Sequence, residues 1–272
     1  MIKQAIIPLA GLGTRLLPLT SVIPKELLPI NGKPGLEYIL EECLQSGITE
    51  VIFVISKRKK SIKQYFYNDS FYKRLIKKKK DKGLINEYKK IKKYKKMIKF
   101  VYQNSAKGTG DAVLQCKSLI KSNFFLMLMP DDLIIKNNCS KSMIALHKKY
   151  KSSIIASKKV EKNNVARWGI FDVKKINKRD FIIRDVIEKP KIKKAPSRYA
   201  VIGRYILPKK IFKVLEKQKP GKNGEIHITD SIRTLILKEN KFIGHIFDGK
   251  YLDCGTMKGY INSTLEISKY NL

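Results

Sequence analysis

Four short apolar runs, residues 3–8, 50–56, 98–102 and 124–129, are each bounded by polar residues or by Gly and Pro. Continuous apolarity over so few positions suits strands buried on both faces, as in a parallel sheet. Between the first two runs the pattern switches to helical spacing. Leu36, Ile39, Leu40, Cys43 and Leu44 share one face, and Gly47 supplies a stop. This order predicts a βαβ unit. Residues 57–97 are the most lysine-dense stretch, and apolar residues recurring among the charges predict two helices crossing between strands. After residue 150 the runs shorten to "SIIASKKV", "WGIFDV", "FIIRDVIEK" and "YAVIGRYIL", followed by helical segments near 208–217, 229–238 and 256–269. The whole predicts an α/β fold, a Rossmann-like, mostly parallel sheet flanked by helices, with a smaller sheet region that carries a second ligand. No Ser/Gly-rich linker or internal repeat divides the chain, so residues 1–272 read as one domain with halves 1–150 and 151–272.

At 272 residues and 43% hydrophobic, the chain can bury a substantial core. No apolar run approaches the roughly 20 residues that span a bilayer, and the start does not resemble a signal peptide. A cytoplasmic protein without a membrane partner is expected. Cys43, Cys116, Cys139 and Cys254 lie far apart without paired metal-ligand spacing, which predicts free thiols.

A formal charge of +35 raises the possibility of a polyanion partner. Yet only nine of the 58 basic residues are Arg, and Lys is the weaker choice for bidentate readout of phosphates or bases. With abundant Ile, Asn, Tyr and Phe, the mixture reads as drift toward A/T-rich codons and solvated lysine faces. No specific nucleic acid is expected.

Chemistry concentrates in "IIPLAGLGTRLLPLTSVIPKELLPI", residues 6–30. A buried strand ending at Pro8 would deliver "LAGLGTR" to the C-terminal edge of a parallel sheet, where ligands of open α/β sheets bind. Gly11 and Gly13 would let backbone N–H groups approach phosphates, and the planar fork of Arg15 could clamp phosphate oxygens. This is neither the dinucleotide fingerprint, since position 16 is Leu, nor a P-loop. By itself it is equally a turn with a surface Arg.

Combined with "PKELLP" at Pro24 to Pro29, the stretch resembles the nucleotide-binding signature of sugar nucleotidyltransferases, and within them the bacterial-type UTP:glucose-1-phosphate uridylyltransferases. The resemblance extends from Ile6 to about Glu266 and is thinnest over 57–97. It implies nucleotide contacts at Leu9, Ala10, Gly11, Gly13, Glu26, Gln103 and Gly108, the last two in "QNSAKGTGDAVL". There the family usually has Leu and His where this chain has Thr109 and Asp111, and Asp111 is expected to cap a helix starting at Ala112. "FFLMLMPDD" and "YLDCGTMKGY" supply Asp131 and Asp253, which the resemblance implies as ligands of Mg²⁺, with Asp132 expected as a helix or turn cap. "WGIFDV", "VIEKP" and "YAVIGRYIL" resemble the sugar pocket, implying sugar contacts at Gly169, Glu188 and Val201 and a phosphate contact at Lys189. "GEIHITD", residues 224–230, also matches a family motif; Thr229 or Asp230 would cap the next helix, with no chemical role assigned.

The implied reaction joins UTP and α-D-glucose 1-phosphate into UDP-glucose and pyrophosphate, with Arg15, Lys25 and Lys189 as the catalytic cations. Two rivals stand beside it. A thymidylyltransferase using dTTP shares most positions, although Glu26 after Lys25 favours the uridylyl branch. A non-catalytic basic RNA-binding protein would leave the carboxylates without a role. Against the family pattern the chain is short at its C-terminal end, so a homo-oligomer stays open.

Overall fold

The computed structural model describes residues 2–221, 224–238 and 241–270. Strand β1 (Gln4–Pro8) is buried at every position. A small hairpin, β2 (Pro29–Ile30) and β3 (Lys33–Pro34), leads into helix α1 (Gly35–Gln45), which buries Leu36, Ile39, Leu40 and Cys43. The helix stops where expected, at Gly47 with φ +78°. Strand β4 (Glu50–Ile55) completes the βαβ unit.

The lysine-rich stretch forms three helices where two are predicted: α2 (Lys60–Tyr67), α3 (Asp69–Lys79) and α4 (Lys82–Met97). The additional break falls at Asn68, which closes one helix and opens the next; Asn and Asp compete for local hydrogen bonds and favour such junctions. The other break lies at Lys80, with φ +51°, and Asp81, whose carboxylate accepts from Leu84 N at 2.7 Å. Helix α4 buries Tyr88, Ile91, Tyr94 and Met97, a stripe at helical spacing beneath an outer coat of lysines.

Then follow β5 (Ile98–Tyr102), α5 (Thr109–Leu114), β6 (Phe124–Leu128), β7 (Asp132–Ile135), α6 (Cys139–Tyr150) and β8 (Ser153–Lys159). The second half contributes β9 (Gly169–Lys175), β10 (Asp180–Glu188), β11 (Tyr199–Pro208), α7 (Ile211–Leu215), α8 (Ile228–Leu237), β12 (Phe242–Ile246), β13 (Lys250–Asp253) and α9 (Met257–Ser268).

Nine strands form one sheet in the order β5-β4-β1-β6-β11-β8-β12-β10-β9. Its first four strands are mutually parallel, as the βαβ pattern predicts. From β11 onward the sheet is mixed: β11 runs antiparallel to both β6 and β8, and only β12 with β8 restores a parallel pair. The region expected to carry a second ligand is thus an extension of the main sheet, because β11 is long enough to pair with β6 at one end and with β9 at the other. Successive residues of β1 serve opposite faces. Ala5 and Ile7 join α1, α2 and α4 in one core, while Ile6 joins α5, α7 and α8 in the other. All four cysteines are buried free thiols. No helix among the described residues is long and apolar enough to cross a membrane.

Candidate active site

The glycine loop leaves β1 in the predicted place. Leu9 N extends the ladder by donating to Val54 O at 2.8 Å, and Leu9 itself is fully buried. Gly13 adopts φ +72°, and a side chain there would press on the Thr20 methyl group. Thr20 Oγ1 donates to Gly13 O at 2.8 Å, and buried Leu16 pins the far end of the loop. Arg15 is thereby left projecting, 63% exposed, with Nη2 3.5 Å from Asp131 Oδ2.

Lys25 begins a 3-10 turn, Lys25–Leu27, and sends Nζ to within 2.7 Å of the same oxygen. Burial alone would push this ammonium's pKa down; the charges of Asp131 and Glu26 and the hydrogen bond to Asp131 outweigh it, and the net shift is upward. For Asp131 burial pushes up, yet Lys25 and Arg15 pull its carboxyl below the ordinary range and keep it ionised.

Asp132 is not the cap the sequence predicts. It starts β7 opposite Asp253 of β13, accepts from Tyr251 Oη at 2.6 Å and from Gly203 N at 2.9 Å, and so locks three strands together. Burial and the adjacent Asp131 charge raise its pKa to about 6. Gly203 is required here: a Cβ would meet Asp132 Oδ2 and come within 2.5 Å of Met129 Cβ. Gly203 O also accepts from Met129 N at 2.7 Å, holding the end of β6 from which the two aspartates emerge.

Asp253 ends β13 and accepts from Gly255 N at 2.9 Å, while Cys254 N donates to Asp131 O at 2.8 Å. A Cβ on Gly255 would stand 2.7 Å from Asp131 Oδ2, 3.1 Å from Asp253 Oδ1 and 2.9 Å from Arg15 Nη2. Both carboxylates and the guanidinium therefore surround one small point, kept clear by the absence of a side chain. Among the described residues no three His, Cys, Asp or Glu side chains form a ready-made metal cluster.

In the Gly108 loop, Gln103 is buried and its Nε2 donates to Asp111 Oδ2 at 2.6 Å and to Gly108 O at 3.1 Å. The helix begins at Thr109 with Gly108 at the cap, so Asp111 lies in the first turn and orients Gln103 instead of capping. Gly108, with φ +92°, and Gly110 press against Ile226, whose carbonyl accepts from Gly110 N at 2.7 Å. The "GEIHITD" segment is thus stitched onto the Gly108 loop. Its helix starts at Ile228 after His227, which leaves Thr229 and Asp230 inside the first turn and corrects their expected capping role.

On the other side Gly169 opens β9 in register with Glu188 of β10. A Gly169 side chain would meet Val201 Cγ2 at 3.0 Å and Glu188 Oε2 at 3.1 Å, so these three predicted residues do converge. Lys189 follows in the left-handed region, φ +45°, with its N–H donating to Trp168 O at 3.0 Å. Its ammonium lies 3.8 Å from Glu188 Oε1 and is largely exposed.

Two adjoining cavities result. One of about 330 Å³ is lined by Ala10, Gly11, Gly13, Lys25, Gln103 and Gly108. The other, of about 480 Å³, is lined by Arg15, Gly169, Glu188, Lys189 and Val201 together with Asp131, Asp132 and Asp253. Thr109, Met129 and Glu225 belong to both. Leu9 and Glu26 line neither: Leu9 is spent on the ladder, and both oxygens of buried Glu26 face Lys59 Nζ at 2.8 Å. Behind the site Arg204, fully buried, grips Glu42 with Nε and Nη2 and donates through Nη1 to Met129 O.

A profile of the nucleotidyl transferase family matches residues 4–269. The chain belongs to the nucleotidyl transferase family. Among this nucleotidyltransferase's curated relatives is the UTP–glucose-1-phosphate uridylyltransferase of Bacillus subtilis, 36% identical over 271 residues, 98% of this chain and 91% of that one. A UDP-glucose pyrophosphorylase solved in complex with UDP-glucose is 37% identical, with a TM-score of 0.88 over 99% of both chains. A UTP-bound enzyme from Acinetobacter baumannii is 32% identical, with a TM-score of 0.88 over 98% of this chain and 93% of its own. A Bacillus anthracis structure assigned to a glucose-1-phosphate thymidylyltransferase shares 20% identity and a TM-score of 0.77, a likeness of fold alone.

The nucleotidyltransferase's missed features share one property. Tyr251 and Asp132 are 119 positions apart, and Arg204 and Glu42 are 162 apart. No local pattern announces such pairs; Glu225 and His227 stood in a segment singled out by its motif but given no part in the site.

Proposed function

We propose that the chain transfers the uridylyl group of UTP to α-D-glucose 1-phosphate, giving UDP-glucose and pyrophosphate. The observation that carries this reading is the convergence of Arg15, Lys25, Asp131 and Asp253 at the junction of the two cavities. Likeness to UDP-glucose pyrophosphorylases over nearly the whole chain supports the choice of substrates.

UTP would occupy the glycine-loop cavity, with backbone N–H groups near Gly11 and Gly13 facing phosphates and the Gln103 amide, held by Asp111, facing the base. Glucose 1-phosphate would enter the neighbouring cavity, its hydroxyls against Glu188 and the backbone at Gly169 and Val201, its phosphate toward Lys189. The sugar phosphate oxygen attacks the α-phosphorus in line. One P–O bond forms as the bond to pyrophosphate breaks. The attacking oxygen is already anionic, so no side chain must remove a proton, and the protein's task is to align two anions and offset their repulsion. Lys25 would exchange Asp131 for triphosphate oxygens, and Arg15 would hold the same group from the open side.

Asp131 and Asp253 present hard oxygens around a point that one methyl group would fill, an arrangement that fits Mg²⁺. When bound, that ion supplies positive charge to the reacting phosphate. A cytoplasmic location belongs to the reading because both substrates are cytoplasmic metabolites.

Pyrophosphate release, measured with glucose 1-phosphate across UTP, dTTP, CTP, ATP and GTP, tests the proposal. UTP should be preferred; a preference for dTTP would move the chain to the thymidylyl branch, and no release with any of them would overturn the reading.

A further inference from the structure

Behind the contact between Lys25 and Asp131, away from both cavities, Lys59 and Glu26 form a buried ion pair. The Lys59 ammonium stands 2.8 Å from each Glu26 oxygen, and the two side chains are 8% and 1% exposed. Glu26 is the second residue of the turn that carries Lys25. Lys59 lies just past the end of β4, where its N–H donates to Ser56 O at 3.0 Å. The pair therefore ties the Lys25 turn to the C-terminal end of the strand beside β1, which launches the glycine loop. With the site residues it completes an alternating series: Lys59, Glu26, Lys25, Asp131, Arg15.

Stability alone is a weak reason for such a pair. Taking two charges out of water costs several kcal/mol each by general experience, and well-packed apolar side chains often replace a buried pair without loss. An apolar pair would not fix direction, however. Both Glu26 oxygens converge on one ammonium, which sets the rotation of the turn. That setting matters for Lys25, whose side chain must leave Asp131 for a phosphate while its backbone stays in place.

We infer that Lys59 is a positioning residue for nucleotidyl transfer, acting through Glu26 to fix the turn from which Lys25 reaches the triphosphate. This rests on the reading of the site given above. It also reassigns Glu26, which works on the nucleotide only through its neighbour.

Lys59→Met alone would leave Glu26 charged, buried and unpaired, and would confuse folding with positioning. Glu26→Gln/Lys59→Met removes both charges and avoids this. The test is a cycle of four proteins: wild type, this double variant, Lys25→Ala, and the combination, each checked for fold by circular dichroism and melting. UTP affinity is read by calorimetry without sugar phosphate, and turnover is read separately. With Lys25 present, losing the pair should weaken UTP binding about tenfold and lower turnover about 30-fold, as expected when a catalytic group is misplaced by a fraction of an ångström. In the Lys25→Ala background the same change should alter either quantity less than about twofold, because nothing remains to be positioned. Equal losses in both backgrounds, as a merely structural role would give, overturn the inference. So does a loss below about threefold with Lys25 present. UTP binding is read apart from the reaction, so a wild type that binds UTP but makes no UDP-glucose would count against the proposed reaction while the binding cycle still decides on Lys59.

Discussion

Lys25 Nζ stands 2.7 Å from Asp131 Oδ2, so the carboxylate proposed to hold the metal is already neutralised by a side chain of the protein itself. This explains how an ionised aspartate survives at a largely buried position, and it gives Lys25 two successive partners. Without phosphate it holds Asp131; on the proposed reading the ammonium would turn to a bound triphosphate, and Asp131 with Asp253 would be left to hold Mg²⁺.

The first prediction concerns Asp131→Asn. Lys25 loses a charged partner but keeps an open cavity beside it, so the stability cost should be about 1.5–3 kcal/mol, the range for one charged hydrogen bond. Turnover should fall on the order of 100-fold or more, about 2.7 kcal/mol of transition-state stabilisation. Thermal melting and Mg²⁺-dependent initial rates check the two halves separately. Wild-type turnover with Mg²⁺ would show that Asp131 is not a ligand.

A second prediction addresses the sugar side. Glu188 is drawn together with Gly169 and Val201 and lies outside the glycine-loop cavity. Glu188→Gln should raise KM for glucose 1-phosphate by roughly 10- to 100-fold, corresponding to about 1.5–3 kcal/mol for hydrogen bonds to a charged group. KM for UTP should stay within about threefold. The opposite division would place the nucleotide in the wrong cavity.

These two residues were legible in the sequence for the same reason that β1, α1 and β4 were. Glu188 ends an apolar strand and Asp131 follows another, and strand ends are visible in a short window. The mixed half of the sheet was harder to read: β11 carries ten residues, "YAVIGRYILP", with no sign that its two ends serve different neighbours. Asp132 looked like a cap because its partners, Tyr251 and Gly203, are brought to it only by the pairing of β7 with β13 and the packing of β11. Asn68 was legible in principle as a helix junction, since Asn68-Asp69-Ser70 is a cluster of cap-favouring residues, but the even density of lysine and aromatic residues on both sides masks the break.

Acid sensitivity supplies a third prediction. Asp180 is buried; burial pushes its pKa up, but the bonds from Asn177, His245 and Tyr150 and the His245 charge more than reverse this, and its carboxyl lies below the ordinary range. A depressed folded pKa means stability that is present above the unfolded value, about 3.9, and is lost as pH falls through the folded value. Asp180→Asn should therefore lower Tm at pH 7, and the gap from wild type should narrow progressively below about pH 4. A gap unchanged between pH 7 and pH 3 would show that the cluster's contribution does not depend on the ionised carboxylate.

The last prediction separates the site from its basic coat. Lys77, Lys78 and Lys79 end α3 and Lys80 caps it; all four are exposed, and none of them lines either cavity. Charges at such positions are screened over a Debye length of about 8 Å at physiological salt, so Gln at all four should change kcat/KM less than about threefold. Lys25→Ala removes a single charge, but one that stands against Asp131 at the junction of the cavities. It should cost at least about 100-fold in kcat/KM, because on the proposed reading a fixed cation facing the triphosphate is lost and no mobile surface lysine can replace it. Both variants are to be assayed at 0.15 M salt, within the physiological range. If the fourfold surface change abolished uridylyl transfer while Lys25→Ala was tolerated, catalysis would have to be sought in the lysine-rich helices and away from the glycine loop.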